Sequence, residues 1–147
     1  MIVLALDIGL QTGAAFGWVP DRHDRPMLVK VTTLSLGDHT SADLLEILFE
    51  FVKGYRVELV IPEYPILDRK SNTFGRVTHC NHTWIEVLKG FCDVQQYHVT
   101  PSAWKSTPAK GATLISPLGY RASNTHEKDA VSILIWYSMY AKRIRKI

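Results

Sequence analysis

Ile2-Val3-Leu4-Ala5-Leu6-Asp7-Ile8-Gly9 is the stretch on which the reading of this chain turns. A short, unbroken apolar run rich in Val, Ile and Leu predicts a buried strand over Ile2–Ile8. That strand carries a carboxylate near its end. An ionised Asp is costly among apolar neighbours unless something positive compensates it. Asp7 therefore either caps the turn at Gly9 or belongs to a site. The pattern recurs at Leu59-Val60-Ile61-Pro62-Glu63, where Glu63 directly follows a second apolar run. Taken alone, Glu63 reads equally well as a solvated loop residue. The two together say more. If these strands are parallel neighbours, both carboxylates emerge at one sheet edge, where ligands of open α/β sheets collect.

Outward from this pair, the order of elements reads βββαβαβα. After the Gly9–Gly13 turn, Ala14–Val19 and Met27–Leu36 read as strands, the latter rich in Val and Thr. Their close spacing favours an antiparallel meander with the first strand. The period then changes. Ser41-Ala42-Asp43 opens a helix with Leu44, Leu45, Leu48, Phe49 and Val52 on one stripe, and Gly54 ends it. Val57–Ile61 is a buried strand closed by Pro62. A second helix spans Asn72–Lys89, stopped by Gly90. Val94–Val99 reads as a fifth strand, Pro101–Lys105 as one helical turn, and Thr125–Ala141 as a last helix. The expected fold is an α/β domain with a mixed five-stranded sheet, three strands antiparallel and the rest in crossover units, flanked by helices. It occupies residues 1–147 as a single domain.

The last helix opens His126-Glu127-Lys128-Asp129 and continues with Ala130, Val131, Ile133, Leu134 and Trp136. His126 and Asp129 are three residues apart and share a face. Acids here also suit the positive end of a helix dipole, which is the structural explanation for Glu127 and Asp129. Against it, His126 and Asp129 extend the face of Ile133 and Trp136, which should meet the sheet. Mg2+ takes oxygen ligands, often a few carboxylates plus water and substrate phosphate. Two such ions can activate a water and stabilise the leaving oxygen in phosphodiester cleavage. Asp7, Glu63 and Asp129 supply oxygens, and His126 is either a fourth ligand or a group that positions water.

The bulk properties fit this chemistry without demanding it. The 147 residues are 46% hydrophobic and 21% charged, with a formal net charge of +3. Cations flank the candidate site in sequence: Arg69 and Lys70 follow Glu63, Arg76 lies one turn into the second helix, and Lys105 and Lys110 bracket the late loop. They suit a phosphate backbone, or they are solvated surface charges. Tyr64, Phe74 and Trp104 either stack on unpaired bases or belong to the core. The basic end Lys142-Arg143-Ile144-Arg145-Lys146-Ile147 is a phosphate contact or a frayed terminus. Cys80 and Cys92 lack zinc-type spacing and read as reduced thiols of an intracellular, cytoplasmic protein. The opening apolar run is too short for a membrane span or a signal peptide.

Four segments, in order along nearly the whole chain, resemble the RuvC group of Holliday-junction resolvases in the RNase H-like superfamily. Leu4-Ala5-Leu6-Asp7-Ile8-Gly9 with Thr12-Gly13 and Gly17-Trp18 resembles the group's first motif. Val60-Ile61-Pro62-Glu63-Tyr64-Pro65 resembles its second acidic strand end. Val99-Thr100-Pro101-Ser102-Ala103-Trp104-Lys105 resembles the stretch before its final loop, and His126-Glu127-Lys128-Asp129-Ala130 its closing helix. The resemblance implies an RNase H-like fold, Mg2+ or Mn2+ as cofactor, and cleavage of branched DNA by a homodimer. The helix carrying Phe74, Trp84 and Ile85 is the expected dimer face. Where many members carry an acid three residues before the final Asp, this chain has His126, as related nucleases do. That departure bears on metal preference.

Three other readings stand beside it. One is a nuclease of the same fold acting on RNA or an RNA–DNA hybrid. Another is a nucleotide-binding protein of the actin and hexokinase type, which also opens Asp-Ile-Gly but needs two such domains. The third is a non-catalytic nucleic-acid-binding module, against which the three carboxylates argue.

Overall fold

The computed structural model describes residues 1–91 and 95–141. Cys92, the start of the expected fifth strand at Val94, and the basic end at residues 142–147 lie outside them. The elements are β1 (Ile2–Asp7), β2 (Gln11–Trp18), β3 (Met27–Ser35), α1 (Ser41–Phe51), β4 (Val57–Glu63), α2 (Phe74–Gly90), β5 (Gln95–Gln96), α3 (Pro101–Lys105) and α4 (Thr125–Met139). They form one five-stranded sheet in the order β3-β2-β1-β4-β5. β1–β2 and β2–β3 are antiparallel. β4 joins β1 in parallel, and β5 joins β4 in parallel. This is the expected mixed sheet.

The apolar alternation of the central strands sorts the core onto two faces. Val3 and Ala5 of β1, with Leu59 and Ile61 of β4, pack against α4, Trp104 and Ala109. Leu4, Leu6 and Val60 point the other way, against Leu44 and Leu48 of α1 and Trp84 and Val87 of α2. Both strands are therefore covered on both sides, which is why they read as continuous apolar runs rather than alternating ones. α4 is buried almost all round from Ala130 to Ser138.

Several boundaries differ from the sequence reading. β2 begins at Gln11, within the span read as a turn, because Thr12 and Gly13 pair across to β3 and β1. β4 runs through Pro62 to Glu63. Proline is tolerated there because its carbonyl faces the β5 side, where Val99 donates to it, so its missing N–H falls where pairing is thin. The expected fifth strand shrinks to Gln95–Gln96. α1 starts after an N-cap at Thr40, with a reciprocal bond between Thr40 and Asp43 that fixes its first turn. Phe49 turns partly outward and stacks on Phe91, their centroids 5.0 Å apart. α4 ends at Met139, not Ala141. Trp84 is fully buried under the sheet, so it is not part of a dimer face, although Ile85 beside it is exposed. Cys80 is a free, buried thiol whose pKa burial pushes up to about 11. Among the described residues no helix is long and apolar enough to cross a membrane.

Candidate metal centre

Asp7 and Glu63 are paired directly across the parallel β1–β4 ladder. Alternation puts Asp7 on the face of Val3 and Ala5, and Glu63 on the face of Leu59 and Ile61. That is the α4 face in both cases. The backbone locks this juxtaposition, since the Ile8 N–H donates to the Glu63 carbonyl at 2.9 Å. The two acids thus emerge side by side at the C-terminal ends of neighbouring parallel strands.

The N-terminal turn of α4 completes the edge. His126 Nδ1 lies 3.6 Å from Asp7 Oδ2, an ion pair when the imidazole is protonated. Such closeness requires Gly13, which pairs with Asp7 on the β2 side. A Cβ at Gly13 would lie 1.9 Å from the His126 carbonyl oxygen. Only a residue without a side chain lets the helix settle this low on the sheet.

The electrostatics show how far the charges converge. Burial, then repulsion from Glu63 and Asp129, pushes the Asp7 pKa up to about 7 against a counter-pull from Lys105. Burial also raises Glu63, opposed by an indole hydrogen bond from Trp104 and by Lys105, with Asp129 adding repulsion. Burial raises Asp129, while Lys105, His126 and Lys110 pull it down. All three carboxylates thus sit in the field of Lys105, and Asp129 repels both of the others. Among the described residues no three His, Cys, Asp or Glu side chains are drawn tightly enough to form a ready-made metal cage. The donor set nonetheless fits a hard divalent cation, which needs few protein oxygens and completes its shell with water and phosphate. Crowded carboxylates held above their ordinary pKa are what such a cation relieves.

Two residues that sequence reasoning did not single out for these roles hold the site in place. Trp104, weighed between base stacking and core, is buried, and its Nε1–H donates to Glu63 Oε2. Glu127, read as a helix-dipole acid, is buried and bonded from several sides. Thr33 Oγ1 donates to Oε2 at 2.6 Å, and the Ser123 N–H and hydroxyl both donate to Oε1 at 3.0 Å. Asn124, the N-cap of α4, accepts from the Glu127 N–H at 2.9 Å. Burial pushes Glu127 up, but these bonds outweigh it and hold the carboxyl below its ordinary value. Glu127 thereby ties the first turn of α4 to β3 and leaves His126 and Asp129 to face the carboxylates. An acid that the helix dipole already explains gives no sequence signal for a bond to Thr33, far away along the chain.

The cations divide. Lys105 and Lys110 act on the carboxylates, and the Lys105 ammonium lies 5.4 Å from the centre of the Trp104 ring. Arg69 and Lys70 are exposed in the loop after β4, with no described interaction linking either to the acids. Arg76 is exposed at the start of α2 and lines a cavity of about 500 Å³ with Leu10, Gln11, Ser35 and His79. Tyr64 is half-buried and stacks on His98 with centroids 5.8 Å apart. Phe74 is half-buried as well.

No protein-family model matches the chain, and no curated protein matches it in sequence. Solved structures do. RuvC of Thermus thermophilus superposes with a TM-score of 0.63 at 18% identity, covering 95% of this chain and 95% of that one. The T. thermophilus RuvC in complex with Holliday junction substrate gives 0.66 at 18% identity, over 95% of this chain and 94% of that one. A fowlpox virus Holliday junction resolvase aligns at 16% identity over 92% of this chain and 73% of that one, with a TM-score of 0.47. The architecture is therefore the RNase H-like fold in the arrangement RuvC has.

Proposed function

We propose that the chain is a divalent-metal-dependent endonuclease that hydrolyses phosphodiester bonds in branched DNA at four-way junctions. One observation carries this reading: Asp7 and Glu63 are register partners at adjacent parallel strand ends, with His126 and Asp129 presented to them by α4. The fold supports the substrate class, since the matching RuvC structure is a complex with a Holliday junction.

Asp7, Glu63 and Asp129 would hold Mg2+ or Mn2+, with His126 as a further ligand or as the group orienting the attacking water. When bound, the metal supplies activation of water and charge stabilisation at the scissile phosphate. The chain's own residues do the rest. Trp104 holds one Glu63 oxygen by its indole N–H. Lys105 lowers the cost of keeping three carboxylates ionised together. Lys110 extends the positive rim on which a phosphate backbone can rest. A junction is resolved by two symmetric cuts, so the working form would be a two-fold homodimer.

Incubating the protein with a four-way DNA junction, a linear duplex and an RNA–DNA hybrid, each with Mg2+, Mn2+ or EDTA, tests the reading. Paired nicks in the junction, abolished by EDTA, are expected. Preferential cutting of the hybrid would move the substrate to RNA, and cleavage undiminished in EDTA would remove the metal.

A further inference from the structure

The chain carries 14 acidic residues, yet none falls between Asp93 and Glu127, a stretch holding Lys105, Lys110 and Arg121. Within this acid-free connection lies a tight turn. Ile115 pairs with Arg121 in an isolated antiparallel bridge. The Ser116 N–H donates to the Tyr120 carbonyl at 2.8 Å, and the Gly119 N–H to the Ser116 carbonyl at 2.9 Å. Gly119 takes a φ of +88°, which the turn requires and side chains resist. The buried Ser116 hydroxyl pins the turn to the edge strand by donating to the Val29 carbonyl at 2.6 Å, while accepting from the Leu118 N–H at 3.0 Å.

What this stapled turn displays is apolar. Ile115 is 70% exposed and Leu118 60%. Tyr120 is 43% exposed and braced by the Lys30 ammonium, 5.9 Å from its ring centre. Rigid apolar tips in a positive setting fit a polyanion with apolar faces of its own. A protein partner would favour fewer lysines around such a patch. The connection runs into the first turn of α4, where the Ser123 N–H and hydroxyl donate to Glu127, next in sequence to His126. Leu118 is five residues from Ser123, so the chain holds it within about 17 Å of that residue, at roughly 3.4 Å per residue.

We propose that the Ile115–Arg121 turn is a DNA contact: an apolar wedge that packs Ile115 and Leu118 against an unstacked base of the junction. Arg121 and Lys110 take the adjoining phosphates. The proposal rests on the branched-DNA reading above and names the surface that would discriminate a junction from a duplex. Apolar wedges of this kind exchange base stacking for packing against protein, and distorted or unpaired bases offer that at least cost.

The experiment is binding in EDTA, which separates recognition from cleavage. The double variant Ile115→Ser, Leu118→Ser, both at exposed positions, is compared with the wild type on a junction and on a linear duplex. The junction carries 2-aminopurine at successive positions around the branch point. The wedge predicts a wild-type fluorescence change at one or more of these positions. It predicts that the double variant loses this signal and about tenfold in junction affinity. Duplex affinity and melting temperature should stay unchanged. Leu118→Trp should restore or strengthen the signal. Unchanged junction affinity and fluorescence in the double variant would overturn the wedge, as would loss of self-association with DNA binding intact, which would make the turn a protein interface. A wild type that binds the junction but never cuts it would sink the nuclease reading and leave the wedge standing. A wild type that binds no junction would sink both.

Discussion

Asp7 is held by the fold in the state it least prefers. Its pKa is raised from 3.8 to about 7, by burial first and by Glu63 and Asp129 after it. A carboxyl raised in the folded state favours folding while protonated. That stabilising contribution is full below about pH 4 and is lost as pH rises through 7. Asp7→Asn should therefore raise the stability of the metal-free protein near pH 8 by about 1–3 kcal/mol, and change little near pH 3. The full ~1.4 kcal/mol per pK unit is discounted because the site is partly wet. Thermal melts across pH check this, and equal melting temperatures at pH 8 would contradict it. Saturating Mg2+ should erase the difference, because it binds only the folded wild-type site. The same variant should lose cleavage while keeping or gaining junction affinity in EDTA, because a negative charge facing the phosphates is gone. Trp104 gives a second test at this scale. Trp104→Phe keeps the apolar volume and removes the donor to Glu63. Mn2+ affinity by calorimetry should fall about tenfold or more with little loss of stability. Unchanged affinity would reduce Trp104 to packing.

At the scale of elements, legibility follows from what each strand or helix buries. β1 and β4 are plain in the sequence because both faces are covered, and each ends on its acid. The pairing of Asp7 with Glu63 follows from treating those strands as parallel neighbours. β5 is shorter than its sequence suggests because Pro62 has no N–H to give it: beyond Gln96 only single bonds reach β4, from the Tyr97 N–H to the Val60 carbonyl at 2.9 Å and from the Val99 N–H to the Pro62 carbonyl at 3.4 Å. The seating of α4 is not legible in its own sequence. It depends on Gly13, on the partner strand, and on Glu127 bonding to Thr33 far away in sequence. Gly13→Ala should accordingly force β2 and α4 apart. A backbone clash at 1.9 Å cannot be relieved by rotating a side chain. We expect a stability loss of at least about 1–3 kcal/mol in denaturant melts, with cleavage falling further than stability alone explains. A variant as stable and active as the wild type would show that α4 is not held by this close approach.

On the scale of the whole molecule, two kinds of positive charge differ in what they act on. Lys105 and Lys110 share the space of the carboxylates, whereas Arg69 and Lys70 stand outside it on the loop after β4. Their removal should have different signatures. On the branched-DNA reading, neutralising Arg69 and Lys70 would take away charges that meet phosphates and leave the carboxylates untouched. Junction affinity should fall, and the slope of log affinity against log salt should flatten by up to about 2, at roughly 0.9 for each phosphate no longer neutralised. The cleavage rate at saturating junction should hold. Lys105→Met acts on the chemistry instead. Lys105 is a group that lowers the pKa of Asp7, Glu63 and Asp129 alike, so without it all three rise further. The carboxylates then ionise, and take up metal, only at higher pH. The acid limb of the rate profile should move to higher pH, with more Mg2+ needed at any fixed pH, while the salt slope changes by no more than about 0.9, the value for a single phosphate. If Arg69 and Lys70 shift the pH profile and Lys105 shifts only the salt slope, the assignment of the two groups is reversed, and the loop after β4 reaches the metal centre in the complex.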